Sequence, residues 1–245
     1  MRKKSINLKV YLLISLASCG IYSSVLAQSD LSIEVKTGAN FTKFDYQGNF
    51  PDLEIESVDN RFYGISFLKS TTNKLSIGVD LSYHRFDINT RYIPIDPESN
   101  SGGSSSNYWS FGPKISYDVH FFPKFGLSLG TSLLLSFTNN EEYTYQGGEL
   151  QIIRLGNGEP RVPIELYGYR AIEEQTFVVR PQLSLFYDLT SKSRISFTTQ
   201  WGLDLREPSI VIDLNRIEFD GDTYQNKYFY SGNYFSTLLG YRYSF

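Results

Sequence analysis

The chain has 245 residues, and its 23 Lys and Arg against 26 Asp and Glu leave a net charge of −3. That balance excludes the basic footprint of a nucleic-acid binder. A mean hydropathy of −0.27 excludes a bundle of membrane helices, each of which needs about 20 consecutive apolar residues. Yet 19 Tyr, 18 Phe and 2 Trp stand beside a single Met, so an architecture that uses aromatic rings in quantity is expected.

Residues 1–27 read as an export signal. Arg2, Lys3, Lys4 and Lys9 form a positive start, Val10 to Ala17 is a short apolar stretch, and Val25-Leu26-Ala27 offers small residues to a signal peptidase. Residues 28–245 would then be the mature domain. Leu16-Ala17-Ser18-Cys19 is a competing lipobox, in which Cys19 would be lipidated instead. Cleavage after Ala27 would remove the one cysteine, and with it disulfides, thiolate chemistry and Cys-based metal sites.

From Leu31 onward, apolar residues alternate with polar ones at period two, the mark of strands with two different faces. Leu31, Ile33, Val35, Thr37, Ala39 and Phe41 oppose Ser32, Glu34, Lys36, Gly38 and Asn40. A short strand at Tyr63, Ile65 and Phe67 follows. Similar alternations start at Leu75, Trp109, Phe125, Phe177, Ile195 and Phe235, the last ending on Tyr241, Tyr243 and Phe245. The apolar faces carry no charge, while the opposite faces combine Gly and Ser with a few ions. A water-facing sheet would favour long Lys and Glu side chains there. Small residues with paired charges suit the cramped interior of a narrow barrel whose apolar exterior meets lipid.

The connections alternate in length. Tyr46–Asn60, Asn89–Ser106, Asn139–Glu173 and Glu207–Tyr228 are long, whereas Ser70–Lys74, Phe122–Lys124 and Thr190–Ser193 are short. The pattern predicts an all-β chain: an eight-stranded antiparallel transmembrane up-and-down β-barrel with long outer loops, short periplasmic turns and both ends in the periplasm. Within the long connections, 150–155 with 161–169 and 210–219 with 224–230 read as hairpins above the membrane, a ledge for an envelope partner. They could instead add a membrane hairpin and make ten strands. Ser99–Ser106 reads as a flexible loop tip, and Pro113 and Pro181 each call for a bulge or a rim position.

Aromatic side chains should collect at the two interfaces, Phe121, Phe122, Phe125 and Tyr187 at the periplasmic end and Phe41, Tyr83, Trp109, Phe137, Phe177 and Phe235 at the outer end. With the leader, the alternation and the aromatic last strand, the chain resembles the small outer-membrane β-barrels of Gram-negative bacteria, the OmpA/OmpX-type and the porin-family or PorT-like barrel domains. The resemblance implies residence in the cell outer membrane, contact with its lipid, and a final strand read by the barrel-assembly machinery through Tyr241, Tyr243 and Phe245. The chain is expected to depart from the two-domain OmpA pattern in having no peptidoglycan-binding domain after the barrel.

Candidate chemistry is sparse. His84 shares the inner face with Asp80 and lies near Asp87, which would be the core of a hydrolase or acyltransferase site. His120 lies beside Asp118. No metal-ligand spacing and no cofactor motif is present, so neither a cofactor nor enzymatic activity is expected. Glu34, Lys36, Asp80, Lys114, Asp118, Arg180, Asp188, Arg194, Asp204, Arg206 and Arg242 share the inner face. Buried charges persist only when paired, so these eleven should form a salt-bridge network that plugs the lumen. The alternative is a narrow ion path lined by the same residues. The expected role is structural, adhesive or accessory to an envelope or secretion assembly.

Overall fold

The computed structural model describes residues 31–50, 53–92, 101–138, 142–147, 151–154, 161–206, 209–219 and 221–245. The leader, its cleavage point and Cys19 lie outside these residues. Twelve strands follow in chain order: β1 (Leu31–Gly48), β2 (Leu53–Ser70), β3 (Leu75–Tyr92), β4 (Ser101–Phe122), β5 (Phe125–Thr138), β6 (Tyr143–Gln146), β7 (Gln151–Arg154), β8 (Arg161–Ile172), β9 (Gln175–Asp188), β10 (Ser193–Asp204), β11 (Ile210–Phe219) and β12 (Asp222–Ser244).

Eight of them close a barrel in the order β1-β2-β3-β4-β5-β9-β10-β12, and β12 returns to pair with β1 from Ser32–Ser244 to Thr42–Tyr234. Every pairing is antiparallel. Closure satisfies every edge, which is what allows a sheet to sit in lipid at all. The alternation sets which side each residue takes. Leu133 is 56% exposed on the outside, whereas its neighbours Ser132 and Leu134 are 0% and 1% exposed inside.

The three short turns, at 71–74, 123–124 and 189–192, share one end of the barrel with both termini of the described chain. At the other end the strands run on. β1 reaches Gly48 and β2 starts at Leu53, so little of Tyr46–Asn60 is loop. Ser101–Ser106 is strand rather than a flexible tip, because its backbone pairs with Thr90–Phe86 of β3. Outside a bilayer both faces can be wet, so the apolar alternation that marks a membrane strand is no longer needed. That is why the sequence hid these extensions.

The two outer hairpins form as expected from sequence, β7 with β8 and β11 with β12. They do not enlarge the barrel. Instead β12, β11, β8 and β6 make a sheet above the rim, and β1 flanks β12 on its other side through Phe44–Gly48. Phe50, Ile164, Leu166, Leu214, Ile217 and Tyr228 give this sheet a buried core of its own.

β12 changes partner at one point. Tyr234 and the residues after it pair with β10, while Tyr230 and the residues before it pair with β11. Gly232 lies between with φ of +82°, a backbone shape that side-chain-bearing residues rarely adopt. A β-carbon there would also collide with the Asp204 carboxylate.

Pro113 and Pro181 are neither at bulges nor at the rim. The β4–β5 ladder passes from Phe111–Leu135 to Lys114–Ser132 and the β9–β10 ladder from Gln182–Gln200 to Val179–Leu203, each in unchanged register. Each proline sits in the two-residue gap. The missing N–H is accommodated by a lapse of pairing on one side only, since Pro113 keeps Val79 and Pro181 keeps Thr131 as opposite neighbours.

Candidate functional site

The barrel presents three surfaces on which function could be built: the exterior, the lumen and the two mouths. The exterior is a continuous apolar band that includes Val35, Ile65, Val79, Leu81, Ile115, Leu129, Leu183, Leu185, Phe197, Leu203 and Leu239, all exposed. An apolar belt of this extent is not tolerated on a soluble monomer. Rings border it at the outer rim. Tyr63, Tyr83 and Trp109 contact one another in succession, with centroids 6.4 and 4.9 Å apart, and Phe41, Phe235 and Trp201 follow at 6.2 and 5.4 Å. At the other end Phe121, Phe122, Phe125, Tyr187, Tyr241, Tyr243 and Phe245 are exposed. About ten residues of tilted strand separate the two borders, the span that a bilayer core requires.

Inside, charges occupy the lower half of the lumen in two tiers. Nearest the short turns, Asp118 receives both Arg194 and, at 3.3 Å, Arg242. Arg194 also donates to Asp188 at 2.7 Å and lies over the Phe186 ring. One tier up, Lys114 donates to Glu34 at 2.8 Å, and Lys36 stands 3.2 Å from the same carboxylate while donating to Gln182. Arg180 donates to Asp80 at 2.6 Å and to Ser82 at 2.8 Å. Asp80 also accepts from Ser66 and Ser132. Glu34, Lys36, Asp80, Lys114, Asp118, Arg180 and Arg242 are buried. Serines are the partners because only short side chains leave room for the long ones opposite.

Asp204 lies at the outer mouth, half-buried, accepting from Ser209 Oγ and from the Arg206 backbone N–H. Arg206 itself stands on the rim, exposed, 3.3 Å from Glu173.

The upper half of the lumen is filled differently. Phe62, Leu134, Val178, Tyr234 and Leu238 form one buried cluster, and Tyr108, Ile172, Ile210 and Tyr230 form another above it. Sequence reasoning did not foresee this layer. Its signal was present in breaks of the alternation: Leu134 between Leu133 and Leu135, Val178 between Phe177 and Val179, and Leu238 beside Leu239 place apolar residues on both faces.

His84 belongs to this aromatic layer. Its ring lies parallel to those of Phe62 and Tyr108, with centroids 6.4 and 5.2 Å away, and tilts against Tyr234 at 4.8 Å. The residue is 2% exposed, and Asp80 is engaged by Arg180. The side chain of Asp87 lies outside the described residues. His120 stands at the turn-end mouth of the lumen, hydrogen-bonded to Asp188 at 2.9 Å rather than to Asp118. Among the described residues, neither imidazole is placed with both a nucleophile and a carboxylate in the geometry of a hydrolytic site. Among the described residues no group of three or more His, Cys, Asp or Glu could hold a metal.

On the outer sheet, Lys227 bonds Asp213 at 2.9 Å, and this hydrogen bond and charge hold its ammonium protonated above the usual lysine range. Arg216 lies over the Tyr167 ring at 3.6 Å. The exterior of this sheet is thus polar and aromatic, unlike the band beneath it.

No family model matches the sequence, and no curated protein matches it. Among solved structures the chain is similar to the outer membrane protein OprG from Pseudomonas aeruginosa, with TM-score 0.47 and 7% identity over 89% of this chain and 98% of that one. It is also similar to the N-terminal β-barrel domain of OprF from the same species, with TM-score 0.40 and 12% identity over 89% and 100%. The outer membrane protease OmpT from Escherichia coli gives 0.41 and 12% over 89% and 98%. Likeness at this level bears on no role. On its own geometry the chain is a membrane-spanning β-barrel of eight antiparallel strands, apolar outside, charged and aromatic inside, and prolonged into a sheet on one side.

Proposed function

We propose that the protein is an integral outer-membrane barrel whose work is structural, adhesive or accessory to an envelope assembly, carried out by its outer sheet rather than by conduction or catalysis. One observation carries this reading: the lumen is filled twice, by the Glu34–Lys114 and Asp80–Arg180 tier and then by the ring layer around His84. A solute would have to separate buried ion pairs and then displace packed rings. Meanwhile the outer sheet has its own core and a polar surface, as a platform for a partner would. In this reading the lipid of the outer membrane surrounds the barrel, and the barrel-assembly machinery engages the closing strand through Tyr241, Tyr243 and Phe245. These three side chains project outward beside the β1–β12 seam.

Planar-bilayer recording tests the filled lumen. The purified protein should give no steady conductance, and Arg180→Ala should add at most brief openings because the ring layer stays in place. Stable unitary currents from the wild type, altered by substitution at Arg180 or Asp118, would favour the narrow ion path and overturn the proposal.

A further inference from the structure

At the turn end the lumen opens into a polar cavity of about 480 Å³. Its rim carries one lysine from each of the three short turns: Lys74, Lys124 and Lys192. Their placement follows a repeated backbone device. The carbonyl of each lysine accepts an N–H from an adjoining strand, at 2.7 Å in all three cases: Asp118 to Lys74, Asp188 to Lys124 and Ser244 to Lys192. The backbone of each turn is therefore pinned, while the side chain is exposed.

The floor adds two arginines, Arg194 and Arg242. Among the described residues, the carboxylates on the wall are Asp118 and Asp188. Asp118 is shared by both arginines, and Asp188 is shared by Arg194 and His120. Those contacts consume the negative charge of the cavity and leave the lysines in excess. A second observation points inward independently. Arg242 is 9% exposed, and its Nε is a buried donor with no hydrogen-bond partner among the described residues. Asp118 Oδ1 is likewise unbonded, but the two guanidiniums on its other oxygen outweigh its charge. Serine and threonine hydroxyls complete the wall and can donate to an anion.

We propose that this mouth is an anion-binding cup for phosphate or phosphate-like groups, closed from below by the charged tier and ringed by Lys74, Lys124 and Lys192. The ligand class follows from the donors. Ammonium groups with guanidinium and hydroxyl donors match a multiply charged oxyanion, and the lining is mostly polar, with Pro123 and Leu189 as its apolar members. Two sources offer this chemistry on that side of the membrane, a soluble phosphate-bearing molecule and the headgroup of an anionic lipid.

Isothermal titration of inorganic pyrophosphate into the full processed protein, held in phosphatidylcholine vesicles, tests the proposal. Saturable, salt-sensitive binding is expected. It should weaken at least tenfold in the combined variant Lys74→Gln, Lys124→Gln, Lys192→Gln, and be unchanged by Lys227→Gln on the opposite side. These lysines are exposed turn residues, and heat-modifiable gel migration reports independently whether each variant forms the barrel. Absence of binding by a barrel that migrates as folded, or equal binding by the triple variant, overturns the cup without touching the barrel reading. Vesicles containing phosphatidylglycerol separate the sources. A loss of pyrophosphate affinity in those vesicles, for wild type and Lys227→Gln alike, marks the lipid headgroup as the occupant, and unchanged affinity marks a soluble phosphate.

Discussion

Arg180 and Asp80 face each other at 2.6 Å in the middle of the lumen, both almost wholly buried. Removing one partner leaves the other charged and out of water, whereas removing both leaves a packable gap. Asp80→Leu should therefore cost about 3–5 kcal/mol. Adding Arg180→Met should recover most of it, read from the urea midpoint of the protein refolded in vesicles. Equal destabilisation by the single and double variants would show that the pair's packing, not its charge, matters. Gly232 poses a backbone problem instead. Its φ of +82° and the adjoining Asp204 carboxylate leave no place for a β-carbon. Gly232→Val should cost roughly 1–3 kcal/mol. Gly221→Ala, at φ of +84° with open space around it, should cost less and isolate the strain from the collision. Identical losses would remove the carboxylate from the account.

At the scale of strands, the lipid-facing band makes a prediction that no water-soluble sheet shares. Leu133 is exposed at the level of Arg180, near the middle of the membrane. Leu133→Arg should lower stability by about 2–4 kcal/mol in vesicles, the cost of a cation at the bilayer midplane, whereas on a wet surface it would be neutral. An unchanged unfolding midpoint would count against the band. This level is also where the sequence was most legible. In lipid every outward position must be apolar, so Leu129, Leu133 and Leu185 announce the strand and its phase. The inward face is legible only in part. Charges and serines at Lys114, Asp80 and Ser132 mark it plainly, because nothing else accounts for ions in a membrane strand. Leu134, Val178 and Leu238 do not, since an apolar residue beside another apolar one reads as noise until the ring layer gives it neighbours. Arg206 fell on the inner phase of β10 but lies past the strand's end, where period two no longer dictates direction. Above the rim the constraint vanishes, and Ser101–Ser106 became strand through backbone pairing that side-chain type does not encode.

For the whole molecule, the same eight strands serve two solvents. Below the rim they are covered by lipid and filled by ion pairs. Above it three of them are continued by separate strands, β5 by β6, β9 by β8 and β10 by β11, which gather around a core containing Phe50, Leu166 and Ile217. The break at the rim, with Gly232 on β12 and the lapse between β10 and β11, is where one regime gives way to the other. That division depends on the exterior being in contact with acyl chains. Nitroxide labels attached at Leu133→Cys, Leu183→Cys, Phe197→Cys and Leu239→Cys sample four strands of the barrel wall, and Tyr169→Cys samples the outer sheet, in a chain free of other cysteines. In vesicles the four wall labels should collide readily with oxygen and scarcely with a water-soluble nickel complex, while the label at 169 should show the reverse. Nickel accessibility at the four wall positions equal to that at 169 would contradict the barrel's placement in the membrane.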